Sequence, residues 1–322
     1  MSTFSWQKLK KRPLYVLAPM ADVTDCAFRA IIAKYGKPDI TWTEFVSADG
    51  LVRATPEGKK KLLKDLEYTE SERPIIAQLF GSNVENMEKA SMLCKELGFD
   101  GIDINMGCPD KSIEKQGAGA GMIKNPKKAQ EIIRAAMTAG LPVSVKTRIG
   151  YNKNELDTWL PAILETKPAL VTIHARTRKE MSLVPADWNQ VKKAVEIRNQ
   201  LSPETLIFGN GDTTSIEDAK MKAEFSGADG VMLGRAIFGA PWLFSEKKFS
   251  LHERLDIMVE HTKLFEEKLG GIKNFAIMKK HYKAYVNGFD GAGDLRGHLM
   301  TAENAWEVEN IVDAWKRANI KA

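Results

Sequence analysis

No stretch of the 322 residues stays apolar for the roughly 20 positions that a bilayer-spanning helix needs. The opening MSTFSWQKLKKRP carries charges with no apolar core behind them, so it does not read as a secretion signal. Cysteine is scarce: Cys26, Cys94 and Cys108 are an odd set without the spacing of a disulfide framework. Together these absences predict a soluble protein kept in a reducing cytoplasm, with no membrane partner. A Gly-rich dinucleotide fingerprint is missing too. The first apolar run is followed by Ala18-Pro19-Met20, where a doubly wound nucleotide-binding sheet would carry its phosphate glycines. No second His, Cys or carboxylate stands at ligand spacing from His174, so no metal site is expected. Lys and Arg number 47 against 42 Asp and Glu, a net charge of +5. That excess is too small for wholesale attraction to nucleic acid, which would have to come from local clusters.

What is present is a rhythm. Short β-rich runs at 14–18, 40–44, 74–80, 101–105, 142–146, 169–174, 205–209 and 230–234 alternate with segments of helical periodicity such as 84–97 and 129–139. The runs recur at roughly 30 residues, the repeat obtained when about 250 residues are divided among eight βα units. Near-continuous apolar runs such as LVTIHA and GVMLG suit parallel strands covered on both faces. The predicted fold is an α/β (β/α)8 TIM barrel over 1–245, followed by a small all-helical domain over 246–322. In that domain helices are expected near 251–269, 273–287 and 302–318, with a short extra turn at 294–300.

Active sites of such barrels lie at the carboxyl ends of the strands, and here every end is furnished. In chain order the ends carry Pro19-Met20, Glu44, Gln78, Asn105 with Gly107-Cys108-Pro109, Lys146-Thr147-Arg148, His174-Ala175-Arg176, Gly209-Asn210-Gly211-Asp212 and Gly234-Arg235. One such residue is usually structural; eight furnished ends in a row are hard to ascribe to packing. The glycines at 209, 211 and 234 let backbone amides approach an anion, with the Arg235 guanidinium beside them. Barrels often hold phosphate after strands seven and eight, which implies a phosphorylated substrate or cofactor without saying which.

The ordered set of motifs resembles the tRNA-dihydrouridine synthase family. It comprises VLAPMADVTDCAFR at 16–29, TEFVSADGL at 43–51, IAQLFG at 76–81, INMGCP at 104–109, SVKTRIG at 144–150, TIHART at 172–177, FGNGD at 208–212 and VMLGRAIFGAPWLF at 231–244. The match is collinear and spans the whole predicted barrel. The resemblance implies FMN across the barrel mouth, with Pro19 and Met20 packed on the flavin and Gln78, Lys146 and His174 on its polar edge. Asn210, Gly211, Asp212, Gly234 and Arg235 then hold the ribityl phosphate. It further implies that uridine in tRNA is reduced at C5=C6, with Cys108 giving the proton, Asn105 meeting the uracil edge and Glu44 bracing that amide. Electrons come from NADPH or NADH, a nicotinamide dinucleotide that visits the flavin transiently because no Rossmann unit exists. The physics agrees: a Lys and a His stabilise the anionic edge of a reduced flavin, and a thiol near its ordinary pKa is protonated at pH 7. Cys26 and Cys94, inside helical patterns, read as inert buried thiols.

Loop cations Arg148, Arg176, Arg178, Lys179, Lys111 and Lys115 fall on the expected catalytic face. In the tail, Lys279, Lys280, His281 and Lys283 make a basic patch with Tyr282 and Tyr285 interleaved. Phosphate contacts supply much nucleic-acid affinity and aromatics stack on unpaired bases, so this patch is expected to grip RNA. A solvated helix face is the bland alternative. Two rivals remain at this stage: an FMN barrel for a free pyrimidine, and an RNA-binding module on a catalytically dead barrel. The first leaves the basic loops and the tail unexplained, and the second leaves Lys146, His174 and Arg235 without a purpose. No obligate protein partner is evident.

Overall fold

A computed structural model describes Trp6, Leu9 and residues 12–319 of the chain. Eight strands form, each overlapping one of the expected runs: β1 (Leu14–Leu17), β2 (Thr41–Ser47), β3 (Ile75–Phe80), β4 (Gly101–Met106), β5 (Val143–Arg148), β6 (Leu170–His174), β7 (Leu206–Asn210) and β8 (Gly230–Leu233). They share one sheet in the order β1-β8-β7-β6-β5-β4-β3-β2, and every pair is parallel. The end strands meet at Asp39, whose N–H donates to the Tyr15 carbonyl at 3.0 Å while its carboxylate accepts the Tyr15 N–H at 2.7 Å. The result is a curled (β/α)8 barrel with helices outside. Helices that follow the strands start on side-chain caps, among them Asp25, Asn83, Asn125, Asp187 and Ser215, each accepting a first-turn N–H.

Alternation along the strands sorts the interior into layers. At the amino end Trp6, Trp42 and Phe208 plug the barrel, with Trp6 lying 5.9 Å from Trp42 and 6.2 Å from Phe208 between ring centroids. Above them, register aligns Gln78 with Asp103 and Asp103 with Ser144, giving a buried polar layer. At the carboxyl rim Asn105 pairs in register with Lys146, and Arg148 with His174, which in turn pairs with Asn210. One sheet register therefore delivers most of the candidate residues to one place.

Strand β2 departs from the simple pattern. Trp42 pairs with Ile76 but Phe45 with Gln78, so an extra residue is inserted at Thr43-Glu44. Such a bulge re-aims the side chains around it. Thr43 Oγ1 accepts the Gln78 N–H at 3.0 Å, and Glu44 turns away from the barrel axis toward the tail.

Four helices make the tail: Leu251–Leu269, Ile277–Tyr285, Ala292–Leu299 and Ala305–Ala318. The first begins on a capping box between Ser250 and Glu253. The expected helix at 273–287 starts four residues late, at Ile277, because the Asn274 side chain takes the Ala276 N–H at 2.8 Å and holds a turn there. The expected extra turn is a full helix of 8 residues. Cys26, Ala27 and Ile31 of the helix Cys26–Tyr35 join Leu255, Met258 and Phe265 in one apolar cluster, so the tail packs directly on the barrel's first helix. Phe28 of that helix lies 4.7 Å from His261 and 4.8 Å from His281. Consequently His281, Tyr282 and Tyr285 are buried, and the expectation that these aromatics stack on RNA bases is overturned. Their apolar ring surface seats the tail instead.

Gly239 lies at this seam with φ +72°, and a Cβ there would fall 2.2 Å from the Ala284 carbonyl oxygen. Gly239→Ala is expected to destabilise the protein by about 1–3 kcal/mol through overpacking. A lower urea midpoint with an unchanged slope would report it.

Candidate active site

At the carboxyl rim the structure opens a cavity of about 900 Å³. Its wall on one side is Ala18, Pro19 and Met20 after β1; on the other are Asn105, Cys108, Lys146, Arg148 and His174. Asn210, Gly211, Asp212, Gly234 and Arg235 line the end formed by β7 and β8. The structure thus brings together nearly all of the residues expected at the mouth.

Cys108 is held from two directions. The Asn105 carboxamide oxygen accepts the N–H groups of Gly107 (3.1 Å) and Cys108 (2.9 Å), while its nitrogen donates to Gln78 Oε1 at 3.0 Å. From the other side Arg148 Nε donates to the Gly107 carbonyl at 2.7 Å. Burial pushes the Cys108 thiol above its ordinary pKa, against the pull of the Asp110 amide and of Lys146 and Arg148. The thiol is therefore protonated at neutral pH and, only half-buried, open to the cavity. Cys26 and Cys94 are buried, their thiols pushed up to about 11 and about 12 by desolvation, which fits the inert role expected of them.

Opposing charge is concentrated nearby. Desolvation, helped by Arg148, pulls Lys146 down to about 8. No hydrogen bond or ion pair engages its ammonium among the described residues. The Asp103 carboxylate acts on it from the buried layer below without a direct ion pair, so the ammonium is open to an anion entering the cavity. Burial, then Arg148, Lys146, Arg176 and Arg235, drive His174 well below its ordinary pKa, so the imidazole is neutral. Arg176 Nη1 lies 3.3 Å from His174 Nε2. A guanidinium only donates, so Nε2 accepts and Nδ1 carries the proton.

Several expected roles are corrected by the geometry. Gln78 is fully buried below the cavity, with Nε2 donating to Asp103 at 2.5 Å, so it does not meet a ligand edge and serves to hold Asn105. The brace on the Asn105 amide is Gln78 and not Glu44, because the β2 bulge directs Glu44 to Lys273 at 2.7 Å. Burial lifts Glu44 to about 7, with Lys273 opposing. The Asp212 carboxylate, which would repel a phosphate, is turned to other partners. It accepts from Arg176 and from Arg235 Nη2 (2.8 Å) and from the Ala186 N–H (2.9 Å), and so aims the arginines. Asn210 donates to the Met232 carbonyl at 2.7 Å, tying β7 to β8.

The loop arginines are also spent differently from expectation. Arg148 is buried on the carbonyls of Gly107, Thr177 and Met181, and Arg176 on Asp212 and the Val184 carbonyl. Arg178 forms a two-point pair with Glu114 at 2.6 Å. These three guanidinium groups are engaged in fixing loops. Lys280 and Lys283 are exposed and Lys279 half-buried, and no ion pair engages the three among the described residues.

Sequence reasoning missed Phe45, Ser182, Thr213, Thr214, Ala236 and Phe238, which also line the cavity, and Lys273, which reaches the rim from the tail. Phe45 and Thr213 adjoin residues already singled out and were legible as neighbours. Lys273 sits in a linker with no local signal at all.

The sequence model of the dihydrouridine synthase family matches residues 16–320. The chain is 40% identical over 316 residues to "Probable tRNA-dihydrouridine synthase 2" of Bacillus subtilis (strain 168), covering 97% of this chain and 96% of that one. It is 38% identical over 315 residues to "Probable tRNA-dihydrouridine synthase" of Staphylococcus aureus (strain MRSA252), covering 97% and 95%. Among solved structures, a morphinone reductase mutant in complex with tetrahydroNAD aligns with a TM-score of 0.50 at 12% identity, over 71% of this chain and 85% of that one, a likeness of fold alone. The barrel, its furnished rim and these relatives agree: the chain belongs to the dihydrouridine synthase family.

Proposed function

We infer that this chain is a tRNA-dihydrouridine synthase, an oxidoreductase that reduces the C5=C6 bond of uridine in tRNA, with Cys108 as proton donor. The observation that carries the reading is one cavity holding both a protonated thiol and an unpaired lysine, Cys108 and Lys146, in a chain of this family. The lining suits FMN. Lys146 and the Nδ1–H of neutral His174 would meet the electron-rich edge of its ring, and Pro19 and Met20 would pack against the ring face. Gly211, at φ +131° with Ala186 only 2.7 Å from where a Cβ would sit, keeps the strand-seven turn free of side chain. Arg235, 69% exposed and aimed by Asp212, would take the phosphate with Gly234. Held there, the flavin would supply hydride chemistry toward C6, with a nicotinamide dinucleotide, NADPH or NADH, as the electron source.

The residues do the rest. Asn105 fixes the Gly107-Cys108 backbone and keeps amide hydrogen for the uracil edge. The Cys108 thiol delivers its proton to C5 as negative charge builds on the pyrimidine, and the cations Lys146 and Arg148 nearby ease formation of the thiolate. A uridine in folded RNA must leave its stack to enter such a cavity. Lys279, Lys280 and Lys283, with the exposed loop lysines Lys111, Lys115 and Lys179, are the cations free to hold the surrounding phosphates. We assign the barrel, 1–245, to chemistry and the helices beyond to RNA binding. The three cysteines are all free, as a cytoplasmic setting would keep them. No helix among the described residues is long and apolar enough to cross a membrane.

Purified protein is expected to be yellow and to release FMN on denaturation. Colourless protein that FMN cannot reconstitute refutes the reading.

Cys108→Ala should leave reduction of the flavin by NAD(P)H within a few-fold of wild type. Reoxidation by tRNA should slow by roughly 10²–10⁴, the usual worth of a general acid. Because burial raises the thiol pKa, the wild-type step should hold through neutral pH and decline only as pH climbs past that raised value. Rapid-mixing absorbance follows both half-reactions; equal reoxidation in the two proteins removes Cys108 from the mechanism.

RNA affinity should fall with salt. If about four to six lysines meet phosphates, the log–log slope is roughly −3 to −5. Alanine at Lys279, Lys280 and Lys283 together should flatten the slope while FMN content stays constant. An unchanged slope would return this patch to an ordinary solvated face.

A further inference from the structure

Lys273 lies in the link 270–276 between two tail helices, yet its ammonium is buried in the barrel rim. Its side chain is only 13% exposed. Nζ stands 2.7 Å from Glu44, 3.1 Å from Asp65 and 3.7 Å from Asp22. The three carboxylates come from three separate barrel segments: the β2 bulge, the last residue of the helix Pro56–Asp65, and the loop after β1. Asp25 and Arg29 add charge at the same place, and Arg29 is itself committed to Glu72.

From Lys273 a short chain of contacts leads to the cavity. Glu44 binds Lys273 through Oε2 and accepts the Asp22 N–H through Oε1. Asp22 has φ +53°, a left-handed conformation that a non-glycine residue keeps only where its surroundings hold it. The same loop closes on itself through Met20, whose N–H donates to Thr24 Oγ1 at 2.9 Å and whose carbonyl accepts from Val23 and Thr24. Ala18, Pro19 and Met20 of this loop are the cavity wall. The tail is attached elsewhere by the apolar cluster around Met258 and Phe265 and by Lys268 on Glu67 at 2.9 Å, so Lys273 is not needed to seat it.

We propose that Lys273 is a positioning residue: by pairing with Glu44 and Asp65 from the tail, and lying near Asp22, it holds the 18–25 loop in the form that makes the flavin wall. The proposal rests on the FMN reading above for its consequence, but not for its geometry. It makes cofactor binding by the barrel depend on a residue of the RNA-gripping tail.

The test uses the full chain with Lys273→Met, which keeps bulk and removes charge, Lys273→Arg, which keeps charge, and the double variant Glu44→Gln/Lys273→Met. Two quantities are read: hydrogen exchange of the Asp22 amide and its neighbours in the apoprotein, and the FMN dissociation constant from flavin fluorescence. Lys273→Met should speed exchange at 20–25 and weaken FMN binding on the order of 3–30-fold, the range for residues coupled to a site without touching its ligand. Protection in the helix Leu251–Leu269 should stay as in wild type, since its apolar seat is intact. Lys273→Arg should restore both quantities, and the double variant should recover part of the loss because it removes an uncompensated buried carboxylate. Unchanged exchange at 20–25 in Lys273→Met overturns the proposal. So does loss of protection across the whole tail, which would make Lys273 a general anchor. Wild-type protein that binds no FMN refutes the functional reading instead, and the exchange measurement still decides whether Lys273 holds the 18–25 loop.

Discussion

Everything at this site depends on eight strands hydrogen-bonded in one direction around a curled sheet. Parallel pairing forces each connection to cross back outside the barrel, so all eight carboxyl ends emerge on one rim. Register then converts a linear order into neighbours: Asn105 beside Lys146, Arg148 beside His174, His174 beside Asn210. A one-residue slip in any of these strands would send its polar residue outward among the helices and put an apolar one in the cavity. The apolar plug of Trp6, Trp42 and Phe208 below, and the polar layer of Gln78, Asp103 and Ser144 above it, hold that register from inside.

On that rim the polar groups serve one another first. Asp212 aims two arginines, Gln78 steadies Asn105, and Asn105 with Arg148 fixes the Cys108 turn. A buried polar group must find partners or the fold loses their desolvation cost. What remains unpartnered is therefore informative. Lys146 feels the Asp103 carboxylate but makes no ion pair or hydrogen bond among the described residues, and Cys108 keeps its proton in the same space, which together suit an anionic, electron-rich ring and a proton to give it.

The tail obeys the same economy on a larger scale. Its aromatic residues and histidines at 261, 281, 282 and 285 are consumed in seating it on the helix Cys26–Tyr35, which leaves its lysines for solvent and partners. Two tail lysines are consumed by the barrel instead, Lys268 on Glu67 and Lys273 at the rim. The two parts of the chain meet both through an apolar seam and through a buried charge cluster next to the cavity wall.

The sequence by itself determined the strand count, the near-30-residue rhythm, the helical character of the C-terminal region, and the set of residues at the strand ends. Those features are local or periodic, and period survives in one dimension. It also determined the family, because eight motifs in fixed order are a one-dimensional signature. Only the tertiary structure decided which of those residues open onto the cavity and which brace each other. Gln78 looks like Asn105 or Lys146 along the chain, yet its partners on β4 bury it below the cavity. The bulge that turns Glu44 appears only when β2 is laid against β3, and Lys273 reaches its carboxylates across a sequence separation no periodicity reports. Contacts between distant segments depend on packing of the whole chain, so their consequences were not legible from residue order.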